Sequence, residues 1–149
     1  MTFLSYLEQY FLTGQLFKVI VNGRVHGVGN RTQDLKSLIA KGTARFSPIT
    51  VVCDGRVTVS GPESASGLVQ LVRYDPRVQD VAIQRGENRG RTLPHKNVVT
   101  DVVFIGEWSG GEQTFELPTI KAGEKAAILV QGGLGGVIIG AARLCGKVG

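Results

Sequence analysis

The sequence predicts an α+β protein that is mainly β: an antiparallel β-sandwich preceded by a helix, a β-hairpin and a second helix. Two short turns carry much of this. Asn22-Gly23 and Asp54-Gly55 each separate apolar runs, and this is the strongest local hairpin signal because both central residues tolerate positive φ. Beyond residue 48 the apolar pattern has period two, and no long helical pattern interrupts it.

Taken in order, Phe3, Leu4, Leu7, Tyr10 and Phe11 stand at helical spacing, with Gly14 available to stop the helix. "LFKVIVNGRVHGVG" reads as two strands around Asn22-Gly23. "NRTQDLKSLIAKG" reads as a short amphipathic helix. Asn30 is its cap, with Gln33 three residues on; Leu35, Leu38 and Ile39 form its apolar stripe, Lys41 suits the C-terminal dipole, and Gly42 is a left-handed stop. "ITVVCDGRVTVSG" is a second hairpin, and "PESASG" a polar loop. Further strands are predicted at 68–74, 78–84, 97–105, 114–117, 126–131 and 137–143. The boundary lies near Thr43 to Pro48, giving residues 1–43 as a helix, hairpin and helix, and 44–149 as the β-sandwich domain.

At 149 residues, 42% hydrophobic and 19% charged, the chain can bury a core and is no disordered polyelectrolyte. The formal charge of +5 and pI of 9.5 are mildly basic. Asp75, Asp80, Glu87, Asp101 and Glu107 are interspersed with the basic residues, so a solvated surface is expected and no nucleic acid as partner. No window approaches the ~20 apolar residues that span a bilayer. The start "MTFLSYLEQYFLTG" carries Glu8 and lacks the basic region and cleavage site of a signal peptide.

Several chemistries are excluded by spacing. Cys53 and Cys145 form no C-x-x-C pair, hence no dithiol motif and no zinc-ligand spacing. Cys53 shares strand parity with Ile49 and Val51, which makes it a small core residue; two thiols are expected rather than a disulfide. "GGLGGVIIGAAR" fails the dinucleotide-binding spacing at Ile138, "NGRVHGVGN" fails it at Thr32, and no P-loop occurs. His26 and His95 have no partners at metal-binding spacing, and G-x-S-x-G is absent. Asn30-Arg31-Thr32 matches a glycosylation triplet, but helix capping accounts for Asn30. No catalytic residue, metal site or cofactor is expected.

The segment "RVQDVAIQRGENRGRTLPHKNVV" is the densest polar stretch. Arg85, Arg89, Arg91 and Lys96 could hold a small anion, with Asn88, Thr92 and His95 as hydrogen-bond partners. Equally, Glu87 can pair with an arginine, Asn88 can close a turn, and Gly86 and Gly90 can supply irregular dihedrals, so that the polar groups fix a long crossover. The structural role is preferred. As a site, the ligand-binding candidates are Arg85, Glu87, Asn88, Arg91, Thr92, His95 and Asn97.

"VIVNGRVHGVGNR", "LVRYDPRVQDVAIQRGENRGRTLPHKNVV", "IGEW", "FELP" and "AILVQGGLGGVIIGAARL" together resemble the family called domain of unknown function 1223. The resemblance implies a bacterial, secreted or periplasmic protein with a thioredoxin-like part followed by a β-rich part. Members of that family begin with a G-C-x-x-C-P-P-type dithiol segment, which has no counterpart here, and Phe17 stands where their proline would fall. The resemblance therefore implies a truncated member in which Val19 to Gly42 is a thioredoxin-like remnant, with no catalysis of its own. Alternatives are a small-anion binding module at Arg85 to Asn97, and residual thiol–disulfide activity through Cys53 or Cys145. An exposed edge of the shortened thioredoxin-like part would favour self-association.

Overall fold

The computed structural model describes residues 4–7, 18–28, 32–43, 49–85, 89–133 and 135–143. Described residues form a mainly β fold with antiparallel open sheets and one helix, in two compact units.

One unit contains strands β1 (Leu4–Leu7), β2 (Lys18–Val21) and β3 (Val25–Val28), helix α1 (Thr32–Thr43), and the pair β7 (Gln79–Ala82) and β8 (Thr92–His95). The Asn22-Gly23 hairpin forms as the sequence predicts. Asn22 and Gly23 take φ of 52° and 65°, and the Arg24 amide donates to the Val21 carbonyl at 2.9 Å. Within the predicted helix over residues 3–11, by contrast, Leu4–Leu7 is strand β1, antiparallel to β2 with Leu4 opposite Val21 and Leu7 opposite Lys18. A short apolar run satisfies either period, and pairing with β2 supplies hydrogen bonds that an isolated short helix could not match. β1 also closes the edge of β2 that the sequence reading left open, giving the order β1-β2-β3. Phe3, Tyr10, Phe11 and Gly14 lie outside the described residues.

Helix α1 forms where the amphipathic pattern places it, and its Asn30 cap lies outside the described residues. Gly42 is corrected: it is helical, not left-handed, and it is buried. A Cβ there would stand 2.5 Å from Val21 Cγ1, and one on Gly27 of β3 would stand 2.8 Å from Leu38 Cδ1. These two glycines let α1 lie close on the face of the hairpin that carries Val19 and Val21, both fully buried. Asn22, also fully buried, donates from Nδ2 to the Gly42 carbonyl at 3.3 Å, satisfying an acceptor that the helix end leaves open.

The other unit holds two open sheets. The first has the order β10-β5-β4, from β4 (Thr50–Cys53), β5 (Arg56–Gly61) and β10 (Gly111–Glu116). The second has the order β12-β11-β6-β9, from β6 (Gly67–Asp75), β9 (Val98–Trp108), β11 (Lys125–Gln131) and β12 (Ile138–Arg143). The Asp54-Gly55 turn is present, with Gly55 at φ 69°. Both sheets feed one apolar cluster: Val57 and Val59 from β5, Val69 and Leu71 from β6, Ile128 and Val130 from β11, with Trp108 and Ile120. Alternation explains the membership, since residues two apart on these strands share the inward face. Ile49, Val51 and Cys53 pack against the cluster from one side, as their common parity predicts.

Two polar ties close the ends of this unit. Trp108 donates from Nε1 to the Gly111 carbonyl at 3.1 Å, which fixes the β9–β10 turn. Arg73 of β6 donates to Asp101 on β9 at 2.7 Å and to the Thr119 carbonyl at 2.8 Å, holding the segment after β10 against the sheet. Arg73 Nε is buried without a hydrogen-bond partner, so the guanidinium is placed by its two terminal nitrogens.

Candidate functional site

In chain order the polar segment singled out above lies between β6 and β9, and the structure makes it a two-stranded ribbon rather than a loop. β7 pairs antiparallel with β8, Gln79 opposite His95 and Ala82 opposite Thr92. The pairing continues past the strands. The Ile83 amide donates to the Arg91 carbonyl and the Gly90 amide to the Ile83 carbonyl, each at 2.9 Å, with Gly90 at φ 82°. The sequence reading took residues 85–97 as a crossover loop; β8 (Thr92–His95) corrects it. Pro94 disguises the strand, yet proline is tolerated here because a two-stranded ribbon consists of edges only.

The period of two divides the candidate ligands. Gln79, Val81 and Ile83 on one strand, with Leu93 and His95 opposite, form one face, and all are buried or half-buried. Asp80 and Ala82, with Thr92 and Pro94 opposite, form the other, and all are exposed. Thr92 therefore faces away from His95, while Arg91 continues the parity of Leu93 and His95. Arg85 is exposed near the tip, and Glu87 and Asn88 lie outside the described residues. Asn97 is exposed with φ 57°, which gives it a backbone role: asparagine is among the few residues that accept a left-handed turn, and here it precedes β9. The fold thus brings Arg91 and His95 to one face and does not bring Thr92 to it.

His95 is oriented by its own strand. Its Nδ1 stands 3.0 Å from the Leu93 carbonyl, which can only accept, so Nδ1 carries the proton in that contact. Among the described residues no three His, Cys, Asp or Glu side chains gather as a metal site. Nor is any described helix long and apolar enough to cross a membrane.

One feature of the ribbon escaped the sequence reading. Residues 77–97 contain Arg77, Arg85, Arg89, Arg91 and Lys96 against Asp80 and Glu87, a net of three out of the formal +5. All five cationic residues are exposed, as is Val78, at 64% the most exposed large hydrophobic among the described residues. A charge count restricted to this segment would have found the concentration.

Among the described residues the fold is mainly antiparallel β with one helix, and a basic two-stranded ribbon lies between β6 and β9 in the chain. The chain belongs to the family described as protein of unknown function (DUF1223), whose model matches residues 12–131. Among solved structures it is similar to protein AGR_C_4864 from Agrobacterium tumefaciens, a structural-genomics crystal structure, with 22% identity and a TM-score of 0.60. The alignment covers 87% of this chain and 61% of that one, so the chain spans about three fifths of its neighbour's length. That likeness concerns the fold. No curated protein sequence matches this chain.

Proposed function

We propose that this chain acts as a non-catalytic β-sandwich module of a thioredoxin-related family, in which β2, β3 and α1 correspond to the closing hairpin and helix of a thioredoxin-like part. The observation that carries this reading is the position of Cys53. Thiol exchange needs an exposed attacking thiolate with a resolving thiol in reach. Cys53 instead lies on β4 opposite Val57, half-buried and packed against the apolar cluster. The shared cluster of the two sheets supports the sandwich, and the packing of α1 on the Val19–Val21 face supports the thioredoxin-like comparison.

The test is a paired measurement on native protein: insulin-disulfide reduction and the rate of thiol labelling, with Cys145→Ser isolating Cys53. The expected result is no turnover and labelling of Cys53 at least about tenfold slower than in the urea-unfolded chain. Turnover that disappears in Cys53→Ser would establish the redox alternative instead. The other alternative, a small-anion site at Arg85, Glu87, Asn88, Arg91, Thr92, His95 and Asn97, draws support from the ribbon's charge. The separation of Thr92 from His95 weighs against a convergent pocket.

A further inference from the structure

We propose that the β7–β8 ribbon is a docking surface for anionic lipid headgroups at a bilayer. Three observations combine. The charge is concentrated, with a net of three in residues 77–97 against a net of two in all the rest of the chain. It is presented at both ends of the ribbon: Arg85 and Arg89 stand at the tip, Arg77 and Lys96 at the base, and all are exposed. Beside Arg77 lies Val78, 64% exposed, an apolar side chain that water solvates poorly and an interface would accept.

The choice of partner follows from what the ribbon lacks. A single-stranded nucleic acid needs aromatic platforms for its bases, and residues 77–97 contain no Phe, Tyr or Trp. Duplex reading needs side chains of one ribbon face that reach base edges in a groove, and the outward face of Asp80, Ala82, Thr92 and Pro94 offers no Arg, Lys, Asn or Gln for it. A small anion needs several convergent donors, and strand alternation separates Thr92 from Arg91 and His95. A bilayer with anionic lipids makes none of these demands. It offers many monoanions in a plane and an apolar layer beneath, so that dispersed guanidinium and ammonium groups each gain attraction without converging. Arginine suits the tip, because its planar fork can bridge two phosphate oxygens.

The experiment is co-sedimentation of the full chain with vesicles of phosphatidylcholine alone, or with about one third phosphatidylglycerol, at low and high salt. Binding is expected only to the anionic vesicles, and it should weaken steeply with salt. Each exposed cation near such a surface contributes about a fivefold factor in affinity, so Arg85→Gln with Arg89→Gln should lower binding by about 25-fold. Arg56→Gln, an exposed cation elsewhere that pairs with Glu116, should leave it unchanged within about twofold. Circular dichroism checks that the ribbon variant remains folded; if it does not, Lys96→Gln carries the same test at about fivefold. Equal binding to neutral vesicles, binding to neither, or full binding by folded ribbon variants would overturn the proposal. So would displacement by millimolar inorganic phosphate, which marks a small-anion site, or a preference for an oligonucleotide at matched ionic strength.

Discussion

Replacing Gly42 by alanine sets two opposing effects against each other. In an exposed helix interior the substitution is favourable by up to about 1 kcal/mol, and less near a frayed end. Here the new Cβ would stand 2.5 Å from Val21 Cγ1, 2.8 Å from Val21 Cβ and 3.3 Å from the Val21 carbonyl oxygen. Val21 cannot step aside easily. It is fully buried, and a β-branched side chain holds a stiff χ1. Overpacking of this kind costs about 1–3 kcal/mol, so the net expectation is a loss of about 1–2 kcal/mol. A melting-temperature drop of roughly 4–8 °C per kcal/mol would accompany it in a cooperative unit of this size class. Urea denaturation followed by circular dichroism measures the loss, and a double-mutant cycle with Val21→Ala assigns it. Val21→Ala alone opens a hole at a cost of about 1–3 kcal/mol, and the methyl group added by Gly42→Ala would partly fill that hole in the double variant. The double variant should therefore be more stable than the two single losses predict, by about 1 kcal/mol. A Gly42→Ala protein as stable as wild type would refute the packing of α1 on Val21. Strictly additive losses would show instead that backbone conformation, and no contact with Val21, sets the cost.

Asn22→Ala should cost about 2 kcal/mol, because it forces alanine to φ 52° and removes the bond to the Gly42 carbonyl. Asn22→Gly keeps the turn and should cost about 1 kcal/mol; equal losses for the two would mean that φ is unimportant there. Arg73→Ala should lower stability by about 1–3 kcal/mol through the loss of its bonds to Asp101 and Thr119. Asp101→Asn should cost under about 1 kcal/mol, since the Asp101 side chain is 52% exposed and water screens the pair. A larger effect at Asp101 than at Arg73 would reverse the assigned roles.

Hairpins were the most legible part of the sequence, since Asn22-Gly23 and Asp54-Gly55 demand particular dihedrals that few other dipeptides meet. Inward-facing strand residues were also legible: period two placed Val57 with Val59, and Cys53 with Val51, and the cluster contains or contacts all four. Misreadings came where a local signal had two physical solutions. An apolar run at residues 4–7 serves a helix or a strand equally, and only a long-range partner, β2, decides. A glycine closing a helical pattern suggests a left-handed stop, but at Gly42 it is the nearness of Val21 that leaves no room for a side chain. Pro94, His95 and Lys96 resemble a loop, and the ribbon that makes Pro94 tolerable is a tertiary fact. Candidate ligands were legible as residue types only. Which face of β8 each one takes depends on where the strand begins, and nothing local reveals that.

Trp108 is the chain's single tryptophan and is 1% exposed, within the unit built from the two larger sheets. Its fluorescence is accordingly a private reporter: it registers the melting of that unit alone, while far-ultraviolet ellipticity sums over every strand and the helix. Superimposable curves from the two probes would mean that the two units unfold as one thermodynamic body. Curves that separate would make each unit's stability measurable without dissecting the chain.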